Sequence, residues 1–254
     1  MMDPILKCEN VSKYFGDFAA VKDLSFHVNP GEVFGIAGPN GAGKTTLFNI
    51  ISNIPFPPTS GKIIFNDEEI QGLKPHKICH LGLVRTFQIP AIFKEMTYLE
   101  NVQVGSIFGK DLSLHRSTAK LAIDSAKEAI KLVGLFEERY KRPRGAPLFD
   151  IKRLMIASAV AMKPKLLLLD EPVGGLNSSE IMQLMELIRK LQDDGITIVI
   201  IEHVMTCLMA ISQRVMILNY GEKLAEGKPE EVAENEDVIE AYLGKEYRKY
   251  MRTG

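Results

Sequence analysis

Little in the composition of this 254-residue chain ties it to a membrane, a metal or a nucleic acid. Its longest apolar runs, among them residues 166–169 and 196–201, fall far short of the roughly 18 to 20 residues that cross a bilayer, so the chain is not expected to span one by itself. The opening MMDPILKCEN has no apolar stretch of the signal-peptide kind, which makes the cytoplasm the expected compartment. Cys8, Cys79 and Cys207 lie far apart without CxxC spacing, arguing for reduced, mostly buried thiols rather than a metal site. A formal net charge of -1 gives no electrostatic reason to expect a nucleic-acid partner. Internal repeats and low-complexity tracts are missing too. What remains is an ordinary globular composition, 46% hydrophobic and 25% charged, long enough to bury a sizeable core in one large domain or two small ones.

Four short β-rich stretches, at 33–37, 166–169, 197–201 and 215–218, alternate with longer helical patterns, which predicts a parallel sheet with crossover helices. Residues 6–28 and 63–70 read as antiparallel β material beside it. Between Gln88 and about Met162 the pattern changes. AKLAIDSAKEAIKLVGL places Leu121, Ala122, Ala126, Ala129, Ile130 and Val133 at helical spacing, so a helical insertion is expected there. The segment after Gly227 is polar with one helical signal, and KEYRKYMRTG reads as a charged tail at about 245–254.

GPNGAGKT (residues 38–45) matches G-x-x-x-x-G-K-[ST] and sits after a strand and at a helix start, where that motif works. The glycines would let the loop of Gly38, Pro39, Asn40, Gly41, Ala42 and Gly43 bend so that several backbone N–H groups point inward on phosphates. Lys44 would reach the β- and γ-phosphates, Thr45 would ligate Mg²⁺, and Thr46 is counted with them among the nucleotide-binding residues. LLLLDEP (166–172) is an apolar strand ending in two acids, delivered to the carboxyl edge of the sheet. Asp170 would hold Mg²⁺, and Glu171 would orient or deprotonate an attacking water. A Gly-rich turn without a ligand and a solvated acid pair are the bland alternatives.

With GPNGAGKT, Gln88 in VRTFQ, LLLLDEP and His203 in IVIIEHVM in that order, the chain resembles the nucleotide-binding subunit of ABC transporters over nearly its whole length. The resemblance implies an α/β fold: a P-loop NTPase core of the ABC type with an antiparallel β subdomain and a helical subdomain at about 90–162, the whole of 1–254 being one nucleotide-binding domain. It implies ATP and Mg²⁺ as ligands, and two ATPase subunits sandwiching ATP, each cradle facing the other's signature loop, usually LSGGQ. It also implies an integral-membrane permease as partner, no nucleic acid, and a peripheral place on the inner face of the cell membrane. On the same basis Gln88 is the loop glutamine that senses Mg²⁺ and the permease, Glu171 the catalytic acid, and His203 the switch histidine near the γ-phosphate. Phe15 in KYFGDFAAV aligns with the aromatic on which adenine stacks, with Tyr14 as the alternative. VRTFQIPAIFKEMTYLENVQVG and EGKPEEVAENEDVIEAYLG look like the branch that takes up branched-chain amino acids; lipopolysaccharide-export and urea-uptake ATPases are similar enough to remain rivals. GGLN (174–177) has Asn where many relatives have Asp, and Asn is usual in that branch.

One segment departs from the family. Its signature falls on Ala146, Pro147, Leu148, Phe149 and Asp150, and none matches LSGGQ. Pro147 offers neither hydroxyl nor N–H. Phe149 stands where a glycine permits close approach, and Asp150 puts a carboxylate at a helix start, where it is expected to cap well but repel a phosphate. A like-charge pair at about 4 Å and an effective dielectric near 20 costs on the order of 4 kcal/mol before screening, more than several hydrogen bonds return. The helix that follows keeps Ile151, Leu154, Ile156 and Ala157 as an apolar stripe. The expectation is an asymmetric pair in which a different subunit supplies the missing signature; a homodimer with impaired loops, acting as an ATP-binding regulator, is the alternative. The basic run YKRPRG (140–145) reads as a solvated face. Met205, Met209 and Met216 read as core filling, and His27, His76, His80 and His115 show no ligand spacing.

Overall fold

The computed structural model describes residues 3–109 and 116–243; the charged tail expected at about 245–254 and His115 lie outside them. In chain order the elements are β1 (Leu6–Phe15), β2 (Phe18–Val28), β3 (Val33–Ala37), α1 (Lys44–Ser52), β4 (Ser60–Phe65), β5 (Glu68–Glu69), α2 (Pro75–Leu81), β6 (Leu83–Arg85), α3 (Tyr98–Phe108), α4 (Arg116–Leu132), α5 (Leu148–Val160), β7 (Leu166–Asp170), α6 (Ser178–Asp193), β8 (Thr197–Ile201), α7 (Met205–Ile211), β9 (Arg214–Asn219), β10 (Glu222–Gly227), α8 (Pro229–Ala233) and α9 (Glu236–Leu243). They divide between two compact units, Met1–Leu73 with Thr197–Gly254, and Lys74–Ile196. No helix among the described residues is long and apolar enough to cross a membrane.

In the first unit the apolar runs 33–37 and 197–201 become β3 and β8, buried along their whole length, as strands covered on both faces must be. β3 runs parallel to β8 and β9, with Gly35 opposite Ile200 on one side and Val215 on the other. β10 returns antiparallel to β9. The alternating stretches near the start form a separate antiparallel sheet of order β2-β1-β4-β5, in which Leu6 lies opposite both Val28 and Phe65. Phe26 of β2 stacks on Phe34 of β3 with ring centroids 5.6 Å apart, so the two sheets share one core. α1 buries Leu47, Phe48, Ile50 and Ile51, which anchors the loop before it.

In the second unit β7 is buried throughout and pairs in parallel with β6, Val84 opposite Leu167. α3, α4 and α5 pack on one another and all lie between Gln88 and Met162, where the sequence turns to helical spacing. α3 opens with a capping box: the Thr97 hydroxyl accepts from the Glu100 N–H while the Glu100 carboxylate accepts from the Thr97 N–H. On α4 and just beyond it, Ala122, Ala126, Ala129, Ile130 and Val133 are buried as expected, but Leu121 is 67% exposed. With about 100° between successive residues, Leu121 falls on the flank away from that face. Ser125 takes the inner position and donates its hydroxyl to the Ala161 carbonyl at 3.1 Å.

Candidate functional site

The glycine loop follows from where β3 stops. Gly38, Gly41 and Gly43 all have positive φ, of 153°, 81° and 101°. A Cβ at Gly38 would sit 2.2 Å from the Leu218 carbonyl oxygen and one at Gly43 2.3 Å from that of Ala20, so both positions exclude any side chain for packing reasons alone. Gly41 faces open space. Gly43 is the N-cap of α1 and supplies no side-chain cap, which leaves the first amides of the helix directed at whatever lies in the loop. The Lys44 side chain is buried and arches back, its ammonium donating to the Gly38 carbonyl at 2.7 Å and the Pro39 carbonyl at 3.0 Å. Thr45 is exposed and Thr46 half-buried. Inward amides, a cation and an open side at Gly41 fit a polyphosphate.

The same unit carries Phe15 and His203. Phe15 is 45% exposed and packs edge-on against Phe56 at 5.1 Å, which leaves ring surface for a planar ligand. Tyr14 is 38% exposed. His203 follows β8 with its imidazole exposed, its backbone N–H donating to the carboxylate of Glu202 at 3.2 Å. Glu202 is fully buried and lies 3.8 Å from His203 Nδ1.

In the second unit the two acids differ in environment. Asp170 is the last residue of β7, and its buried carboxylate accepts from Arg85 at 2.8 Å, an ion pair only a few per cent exposed on either side. The expectation for Asp170 had no place for Arg85. The signal was a basic residue ending the strand that pairs with the acid-ended one. Glu171 is the first residue past the strand, with φ 47°, a left-handed conformation that costs a non-glycine residue about 1–3 kcal/mol. Its carboxylate accepts from the Gln88 amide at 2.6 Å, so the sequence-predicted Gln88 and Glu171 meet. Its carbonyl accepts from the Lys152 ammonium at 2.9 Å.

The segment at 146–150 corrects one expectation. Pro147 does stand as the N-cap of α5, without a side-chain cap. Asp150, however, pairs with Arg153 at 2.6 Å one turn on, which offsets much of the repulsion expected of a bare carboxylate. Phe149 is buried, with the Arg153 guanidinium 4.5 Å over its ring. Leu148 is the residue that reaches outward, at 41% exposure, and a Cβ on Gly175 would meet it at 2.9 Å. Asn177 ends the GGLN loop as the N-cap of α6, accepting from the N–H groups of Ser179 and Glu180. Of the three cysteines Cys8 is buried, and burial pushes its thiol pKa up. Cys79 and Cys207 are half-buried; Met216 is buried, and Met205 and Met209 are half-buried.

A glycine loop that opens a helix after a buried parallel strand, with a second such strand ending in two acids, defines a P-loop nucleotide-handling protein. The family model described as ABC transporter matches residues 21–174, and that described as branched-chain amino acid ATP-binding cassette transporter matches residues 222–248. The chain belongs to the ABC transporter ATP-binding subunits, and it is an ATP-binding ATPase of that family coupled to transport. It is 38% identical to the high-affinity branched-chain amino acid transport ATP-binding protein LivG of Escherichia coli (strain K12), over 96% of this chain and 99% of that one. Among solved structures it is similar to the ADP conformation of an ATP-binding cassette of an ABC transporter, with a TM-score of 0.86 at 30% identity over 96% of this chain and all of that one. A dimeric cassette bound to ADP and Pi is similar over 88% of this chain and 98% of its own, at 27% identity and a TM-score of 0.76. Subunits of this class act with membrane permeases and as paired cassettes.

Proposed function

We propose that this chain is one of two different ATPase subunits, peripheral on the cytoplasmic face of the membrane, that drive uptake of branched-chain amino acids. The cargo is supported by the LivG likeness and by the match at residues 222–248. All of residues 1–254 act as one nucleotide-binding domain, with a helical subdomain at about 90–162. Adenine stacks on Phe15, and the phosphates lie on the loop from Gly38 to Thr46 with Lys44 on the β- and γ-phosphates. Thr45, Asp170 and Gln88 would hold Mg²⁺, which would neutralise charge on the phosphate oxygens. Glu171 takes a proton as water oxygen bonds to the γ-phosphorus and the bond to the bridging oxygen of ADP breaks. His203, backed by Glu202, offers its imidazole to the terminal phosphate.

The observation that carries the asymmetry is the contrast between a complete cradle and a loop at 146–150 that has neither a hydroxyl nor a glycine amide for a γ-phosphate. A second cassette carrying LSGGQ supplies those groups. Glu171→Gln in the assembled transporter tests the core of this reading: ATP hydrolysis at this site should cease while nucleotide binding stays measurable, and unaffected hydrolysis removes Glu171 from the role. The Asp150–Arg153 pair favours a second reading, a homodimer of low turnover, because it softens the electrostatic obstacle at the loop. Co-purification of the chain with one permease and a different cassette, or with a second copy of itself, separates the two.

A further inference from the structure

α5 keeps its packing although the loop that opens it has lost the groups a phosphate needs. Ile151, Leu154, Ile156 and Ala157 are all buried. Among them lies a residue that core packing does not explain. A lysine is seldom fully buried, yet Lys152 is 8% exposed and donates its ammonium to the carbonyl of Glu171 at 2.9 Å. That carbonyl belongs to the residue whose φ of 47° turns the chain out of β7. A left-handed peptide at a non-glycine residue persists only where its surroundings over-determine it. A donor on this carbonyl fixes the peptide plane, and with it the direction in which the Glu171 side chain leaves the strand. Gln88 holds the far end of the same side chain, and Lys152, Gln88 and Asp170 border one small cavity at the end of β7.

We propose that Lys152 is a positioning residue for hydrolysis: from the side of α5 it locks the left-handed backbone of Glu171 so that the carboxylate stands ready for the attacking water. The inference rests on the reading of Glu171 as the water-activating acid. It gives α5 a task within its own subunit that does not depend on the loop at 146–150, and so accounts for a helix retained where its loop has changed.

In the assembled transporter, Lys152→Met is expected to lower kcat for ATP hydrolysis about tenfold or more while KM for ATP stays within about twofold, since the ammonium holds the carbonyl of the hydrolytic residue. Lys152→Arg, which keeps a donor, should recover kcat to within about threefold. In nucleotide-free protein, hydrogen exchange at the amides of Glu171, Val173 and Gly174, the exchangeable ones in 171–174, should quicken in Lys152→Met and not in Lys152→Arg. Should the methionine variant not fold, Lys152→Gln, which is polar but stops short of the carbonyl, carries the same expectation. A folded variant lacking the donor that keeps wild-type kcat, or one that loses kcat with unchanged exchange at 171–174, overturns the proposal. Glu171→Gln run in parallel separates the failures: if it abolishes hydrolysis while Lys152→Met does not slow it, only this inference falls.

Discussion

The Gln88 side-chain amide donates a 2.6 Å hydrogen bond to the Glu171 carboxylate, joining residues 83 positions apart in sequence. A hydrogen bond to a charged group contributes about 1.5–3 kcal/mol when shielded and less where water competes, as at this exposed pair. Gln88→Ala is therefore expected to lower kcat by roughly tenfold while nucleotide affinity measured without Mg²⁺ holds, because the amide orients the acid and belongs to the proposed Mg²⁺ ligands, whereas the phosphates lie on other residues. Steady-state phosphate release set against equilibrium nucleotide binding checks the split.

Arg85 and Asp170 are both nearly excluded from solvent. Removing one member of a buried pair strands the other charge and costs about 3–5 kcal/mol. Arg85→Met should therefore shift the urea midpoint sharply downward without changing the slope of the transition, as circular dichroism would report. A midpoint within error of wild type would mean that the pair contributes nothing.

Rebuilding the signature should not be simple. Phe149 is buried beneath Arg153, so Phe149→Gly opens a cavity as well as freeing the loop, and a loss of about 3 kcal/mol or more in unfolding free energy is expected. Asp150→Asn alone, by contrast, is expected to leave the isolated chain as slow as before, since its charge is already offset by Arg153 and the missing hydroxyl and glycine amides stay missing. Phosphate release by the single variant is the check.

The start of α3 gives a prediction in pH. Backbone and side-chain hydrogen bonds from Thr97 hold the Glu100 carboxyl pKa below its ordinary 4.5. A depressed folded-state value means that the stabilisation is complete above about pH 4.5 and is lost as pH falls through the folded pKa. Glu69 shifts in the same direction through its hydrogen bond with Lys62. Glu100→Gln should therefore lose less melting temperature than wild type between about pH 6 and pH 3. Thr97→Ala should cost about 1 kcal/mol at neutral pH through the lost cap.

What could be read beforehand was local. The cradle, the strand ending in two acids and the apolar strands each lie within a few consecutive residues, where spacing determines which groups meet. Arg85 on Asp170 and Lys152 on the Glu171 carbonyl were not legible, because both join elements far apart in the chain and depend on which way a long side chain turns in the packed unit. The same holds at 146–150, where Phe149 and Asp150 read as obstacles until packing turns one inward and pairs the other. Leu121 was misplaced for a smaller reason: an apolar residue one step from the buried face is still about 100° around the helix from it.

The most direct measurement is steady-state ATP hydrolysis by the purified chain, alone and then titrated with a related cassette bearing LSGGQ, in the presence of their permease. The account predicts little turnover alone and activity that rises to a plateau at one partner per chain. Rapid, cooperative hydrolysis by the chain on its own, unchanged by the partner, would contradict it.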